Sequence, residues 1–487
     1  MTLMIRLKAS LAASAILSLV AAALSGCMVG PNFARPAAPG TSAYAMAGDA
    51  AAPKDVQIGV PAAAGPWWRA FGSAELDRTM DLALAGNPTL TIANANLAQA
   101  RSAVAASRAG LFPQLDANAG AERERLNFAS FGLSGFPGIP SNPTVDLYSV
   151  GLTASYLLPT AGGTKRQIES TAAHALVQRH QADAAALTLT GQVATQAATI
   201  ASLRAQIATE EAILADDRQT IELAKKAIEA GGAPRGRRVS AQSQLAIDEA
   251  YLPPLQQQLA VARHALALLV GKAPADWTPP DFDLADLKAP AAVPVSLPSE
   301  LVRRRPDILA AEAQLHAATA DIGVATARLY PSLSLSGNVL QSSLTPDKLF
   351  NFTSTGYALG LDLTQPIFDG GRLRAERKET IAARQAALAT YEQTVLRAFG
   401  QVSDLLQALA HDDAAIAAET RAANAADANL KLAWAGYGEG GLALLPVIDA
   451  GRDYNTARRR LIQAQAQRYL DVIQLFIATG ADWTKAG

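Results

Sequence analysis

The chain has 487 residues, half of them hydrophobic, with 42 Lys and Arg against 43 Asp and Glu, for a formal net charge of −1. This near-neutral balance excludes a polycationic nucleic-acid binder, so no nucleic acid is expected as a partner. The single cysteine, Cys27, excludes a disulfide framework or a thiolate metal cluster. The arginine clusters at 303–305 and 458–460 are local and read as solvated helix faces. His174, His180, His264, His316 and His411 share no metal-ligand spacing. There is no phosphate loop, nucleophile elbow or pair of catalytic carboxylates, so neither enzyme nor cofactor is expected.

Taken in order, the chain opens with Arg6 and Lys8, then an apolar run over 9–24, the pattern of a signal peptide over 1–26. That segment carries two cations and no acid, so removing it takes the charge from −1 to −3. Leu24-Ser25-Gly26-Cys27 resembles the lipobox of bacterial lipoproteins, which implies that Cys27 is acylated and becomes the first mature residue. Met28, rather than Asp, implies sorting to the outer membrane. No later window offers 18 consecutive apolar residues for a membrane helix. Residues 30–64 are rich in Pro, Ala and Gly and read as an extended tether, closed by the aromatic anchor Trp67, Trp68 and Phe71.

The remainder says one thing twice. Asn87-Pro88 opens a helix to 110 and Arg305-Pro306 opens another to 328, because proline suits the first helical position. Leu111-Phe112-Pro113 recurs as Leu329-Tyr330-Pro331, at the same offset of 218 (306 minus 88, 329 minus 111). Beyond that point Gly162-Gly163 matches Gly370-Gly371 at 208, and Gly231-Gly232 matches Gly440-Gly441 at 209. The second copy has lost about nine residues between the LxP motif and the long helix, as a variable hairpin loop would.

That interval has strand periodicity. Leu115, Ala117, Ala119 and Ala121 alternate with polar residues, and so do Tyr148, Val150, Leu152, Ala154 and Tyr156. In the second copy Leu333, Leu335 and Val339, then Tyr357, Leu359, Leu361 and Leu363, do the same. Four strands of about ten residues, apolar on one face and polar on the other, fit a membrane barrel with a wet lumen, and a soluble sandwich is the other reading. Four strands cannot close a barrel, and open edges in lipid leave backbone groups unpaired at several kcal/mol each. The chain must oligomerise, as a dimer of eight strands or a trimer of twelve.

Two runs, 164–230 and 372–437, lack proline and are rich in strong helix formers; the first holds one glycine, Gly191. Each is about 67 residues, or about 100 Å as one helix. Each stops at glycines and is followed by a shorter returning helix, 239–270 or 447–479. The expected partition is a signal peptide (1–26), a lipidated tether (27–72), first-repeat helices (73–110 and 164–271) around a hairpin (111–163), a linker (272–298), second-repeat helices (299–328 and 372–480) around a second hairpin (329–371), and a tail (481–487). The class is an α+β membrane protein with a two-fold internal repeat.

Gly26-Cys27-Met28-Val29-Gly30-Pro31, Trp67-Trp68-Arg69-Ala70-Phe71-Gly72 and the stretch Leu297-Pro298-Ser299-Glu300-Leu301-Val302-Arg303-Arg304-Arg305-Pro306-Asp307 resemble the TolC-like outer-membrane efflux factors, in their NodT-like lipoprotein branch. The resemblance covers essentially the whole chain. It implies a homotrimer in the outer membrane of a Gram-negative bacterium, with a twelve-stranded barrel continuous with a periplasmic α-helical barrel. The implied function is a passive exit duct for drugs or other small molecules, served by a periplasmic adaptor (membrane fusion) protein and an inner-membrane efflux transporter. A duct's cargo is set mainly by that pump. The implied docking tips are Gly231 and Gly232 in one hairpin and Gly440, Gly441 and Leu442 in the other. Tyr437 and Asp449 fall on the family's gate pattern; Pro446 replaces its first Asp, and Arg237 stands where an Asp is usual. A structural coiled-coil outer-membrane lipoprotein is the alternative, and a periplasmic enzyme the third reading. The alternating strands argue against the second, and the absence of a site constellation argues against the third.

Overall fold

The structure is a computed structural model that describes residues 28–38, 40–41, 43–60, 65–127, 142–229, 234–288, 290 and 292–483. Cys27, Gly231 and Gly232 lie outside the described residues. After the short strand β1 (Val56–Ile58) come helices α1 (Ala74–Gly86) and α2 (Pro88–Ala109), then strands β2 (Gln114–Arg125) and β3 (Thr144–Leu158). Helices α3 (Gly163–Glu229), α4 (Gly236–Glu249) and α5 (Leu252–Leu269) lead to β4 (Val293–Val295). The second half holds α6 (Pro298–Arg304), α7 (Pro306–Ala327), β5 (Ser332–Ser343), β6 (Thr355–Thr364), α8 (Arg372–Gly438) and α9 (Leu444–Ala478). Two compact units share the chain: Met1–Arg35, Ala98–Val177 and Glu312–Ala389 form one, and Pro36–Leu97, Gln178–Ala311 and Thr390–Gly487 the other.

The first unit is built on an antiparallel sheet of order β2-β3-β5-β6. Near the middle of the sheet the register joins like with like, although Val150 faces Gln341 and Tyr148 faces Ser343. Ala117 faces Leu152, Leu152 faces Val339, and Val339 faces Tyr357 on one side of the sheet. Asp116 faces Thr153, Thr153 faces Asn338, and Ser334 faces Asp362 on the other. Because the strand period is two, a one-residue slip would exchange these faces, so the apolar pattern specifies the pairing. The apolar side is exposed, with Leu359 at 82% and Leu363 at 69%. β2 and β6 are the open edges.

In the second unit the aromatic anchor forms a 3-10 turn, Trp67–Phe71, whose rings are buried. Trp67 stacks on Phe476 at 5.3 Å and donates from Nε1 to Thr190 Oγ1 at 3.3 Å. A Cβ at Gly191, one residue on, would collide with the Ile477 side chain of α9, which occupies the space the glycine leaves. Asn87 caps α2, its Oδ1 accepting from the Thr89 amide at 2.8 Å.

Several expectations are refined. The helix expected over 239–270 is two, α4 and α5, separated at Ala250 and Tyr251. Pro253 and Pro254 have no amide hydrogen to offer the carbonyls four residues back, and their rings clash there. The returning helix expected from 447 starts at Leu444, with Pro446 tolerated in its first turn. Part of the tether is ordered: β1 pairs in parallel with β4, and the buried Tyr44 donates to Ser296 O at 2.9 Å. The arginine clusters are not uniformly solvated. Arg305 is buried, donating to Ala478 O at 2.9 Å and forking onto Asp307 at 2.7 and 3.0 Å. Arg459 turns inward onto the buried carboxylates Glu210 and Asp248.

Candidate functional site

The tip between α8 and α9 is a turn dictated by glycine. Gly440 has φ +78°, a left-handed conformation that suits glycine. Its amide donates to Tyr437 O at 3.1 Å, and the Gly441 amide donates to Gly436 O at 2.9 Å, a Schellman closure of α8. The Leu442 amide also reaches Gly436 O at 2.9 Å, and its side chain lies where a Cβ on Gly436 would sit. Leu442 is 43% exposed. Gly436 was not evident in the sequence as part of this turn.

Below the turn lies a small apolar cluster of Ala224 from α3, Ala241 from α4, and Leu444, Val447 and Ile448 from α9. Tyr437 packs against it, edge-on to Trp434 with ring centroids 6.1 Å apart. Asp449 is exposed, with Arg452 Nη1 3.9 Å from its Oδ1. Tyr437 and Asp449 therefore flank one tip, on the last turn of α8 and the second turn of α9.

Behind them is a buried ionic network that no motif announced. Arg452 Nε donates to Gln244 Oε1 at 2.9 Å, and Gln244 Nε2 donates to Asp248 Oδ2 at 2.7 Å. Arg459 donates to Asp248 Oδ1 at 2.8 Å and forks onto Glu210 at 2.7 and 2.8 Å. Its guanidinium also lies over the Tyr251 ring at 4.4 Å. Glu210 and Asp248 are each 1% exposed. Burial alone would lower the Arg459 pKa, but its bonds to Glu210 and Asp248 outweigh that and raise it. Asp217 presses on Asp248 from α3; burial, then the Asp248 carboxyl, push it up to about 7. Asp217 Oδ2 is buried and has no hydrogen-bond partner among the described residues. The sequence signal was there: Ala241, Gln244 and Asp248, and then Arg452, Asn455 and Arg459, place polar groups at helical spacing on apolar stripes.

A cleft of about 410 Å³ opens beside this network, lined by Asp216, Asp217, Asp427, Lys431, Trp434 and Arg452. Among the described residues no group of His, Cys, Asp and Glu is arranged to hold a metal ion. No described helix is long and apolar enough to cross a membrane.

A four-stranded sheet with an exposed apolar face, joined in one chain to two 67-residue helices, is the build of an outer-membrane channel subunit. The family model described as "Outer membrane efflux protein" matches residues 79–272 and 297–481, and the chain belongs to that family. It is 32% identical to the pyoverdine export outer membrane protein OpmQ of Pseudomonas aeruginosa, over 86% of this chain and 87% of that one. It is 29% identical to Nodulation protein T of Rhizobium leguminosarum bv. viciae, over 96% and 92% of the two. The solved outer-membrane channel OprN superposes with a TM-score of 0.85 at 27% identity, covering 94% of this chain and all of that one. The chain is the outer-membrane channel component of an efflux system.

Proposed function

We propose that three copies close a twelve-stranded barrel and form a passive exit duct, not an enzyme. The observation that carries this is the open sheet: β2 and β6 each present an unpaired edge, and the apolar face between them is exposed. In lipid those edges must pair, and an isologous or cyclic partner is another copy of the same chain. The energy comes from an inner-membrane transporter, and a periplasmic adaptor contacts the tips at Gly231, Gly232, Gly440, Gly441 and Leu442. Tyr437 and Asp449 set the resting constriction, since both flank the glycine turn. Acyl chains on Cys27 add a second hold on the outer-membrane lipid.

Native mass spectrometry of the protein extracted in detergent tests the assembly. Three chains are expected. A stable monomer whose β2 and β6 amides resist exchange would overturn the reading.

A further inference from the structure

Arg166 is the largest of the fully buried side chains, 1% exposed, yet it sits in the first turn of α3. A cation there opposes the helix dipole, and that turn contains no acid to offset it. Its position is explained by what it holds. Nε donates to Val29 O at 3.1 Å, and Nη2 donates to Gly30 O at 3.3 Å and to Asn32 Oδ1 at 2.7 Å. Nη1 donates to Glu169 at 2.7 Å, and the other Glu169 oxygen lies 3.0 Å from His316 Nε2. Phe33 stacks on that imidazole at 4.4 Å, and Arg35 pairs with Glu312 at 2.7 Å. Three of the four Arg166 bonds thus come from the segment C-terminal to Cys27. Without that segment the guanidinium would be buried against a single partner.

The fit is close on both sides. Gly30 has φ +88°, and a Cβ there would stand 2.5 Å from Gly323 Cα; a Cβ on Gly323 would strike the Arg166 stem at 2.7 Å. Met28 lies against Gly162, where a Cβ would meet its Cα at 2.9 Å, and the Val29 amide reaches Ala161 O at 3.3 Å. Gly162 lies between the end of β3 and the start of α3.

We propose that the Arg166 pocket is a receptor for the chain's own residues 28–35, and that it fixes the acyl anchor one peptide link before Met28 at the β3–α3 corner. This rests on the proposed acylation of Cys27. A docked strap holds the lipid where the strand ends. Undocked, residues 28–43 become a leash with a reach of about 50 Å. Arg166 is in this sense a positioning residue for membrane attachment.

The test uses full-length protein purified from membranes, with a spin label on Ala34→Cys, an exposed strap position. An acylated Cys27 leaves one thiol to label. The label should be immobile and at a single depth in the parent. Arg166→Gln, and independently Gly30→Ala, which leaves α3 untouched, should raise its mobility severalfold and spread its depth. Cys27→Ser should leave it immobile, because no strap bond uses the thiol. A label already mobile in the parent, or unmoved by both variants, overturns the receptor. A parent of unacylated mass, bearing two labels, overturns the anchoring role and the lipoprotein reading together, while the Cys27→Ser protein, with its single label, still reports docking.

Discussion

Arg459→Gln should loosen α3 and α4 where they meet α9. The substitution removes the fork onto Glu210 and the bond to Asp248, leaving two carboxylates that are each 1% exposed without a cation. Arg459 itself is only 21% exposed at its side chain, so water contributes little screening. Breaking a buried ion pair by deleting one partner costs about 3–5 kcal/mol, mostly from the charge left behind. At about 1.4 kcal/mol per decade, local opening should rise on the order of a hundred- to several thousandfold. Amide exchange over 241–249, read by mass spectrometry on the detergent-solubilised protein, measures that opening directly. Adding Glu210→Gln and Asp248→Asn should restore most of the protection, because no uncompensated charge then remains. Exchange within about threefold of the parent in Arg459→Gln would refute the argument, as would a triple variant no better than the single one.

Two sites should respond to pH, one in this network and one where α8 packs on α9. Asp217 and Asp412 are both held near 7, by burial first and then by Asp248 and Asp471 respectively, so the folded chain binds their protons more tightly than the unfolded chain does. Their contribution is therefore complete below the ordinary carboxylate range and is lost as pH rises through about 7. Amide protection of α4, corrected for intrinsic exchange, should fall between pH 5 and 8, and Asp217→Asn should flatten that slope; a slope unchanged by the variant contradicts it. At the tip, Tyr437→Phe should raise resting conductance, whereas Asp449→Ala should weaken cation preference and divalent-cation block. Two variants that conduct like the parent, with the same ion preference, would place the constriction elsewhere on the tips.

The sequence was legible wherever its signals are local. Strand alternation, the proline-led starts of α2 and α7, and the glycine stop of α8 each depend on a few neighbouring residues, and all appear in the structure. The break before Leu252 was also local, but Pro253-Pro254 sits inside a helix-rich composition that masked it. β1 and β4 carry three residues each, too few for a period, and pair from distant parts of the chain. The buried arginines were hidden for another reason. Arg305 and Arg459 stand in runs of three arginines; the phase of α9 turns Arg459 inward, and the extended link between α6 and α7 places Arg305. Arg166 left a clue in its unfavourable place at the start of a helix, but its partners at Val29, Gly30 and Asn32 are visible only in three dimensions.

The proposed duct requires that copies of this chain enclose an aqueous path through the outer membrane. Single-channel recording of the purified oligomer in a planar bilayer tests it most directly. Discrete, long-lived conductance steps that scale with the number of inserted oligomers are expected. Oligomer that is folded, with protected strand amides, and incorporated in the bilayer, yet silent at every applied voltage and salt concentration, would contradict it.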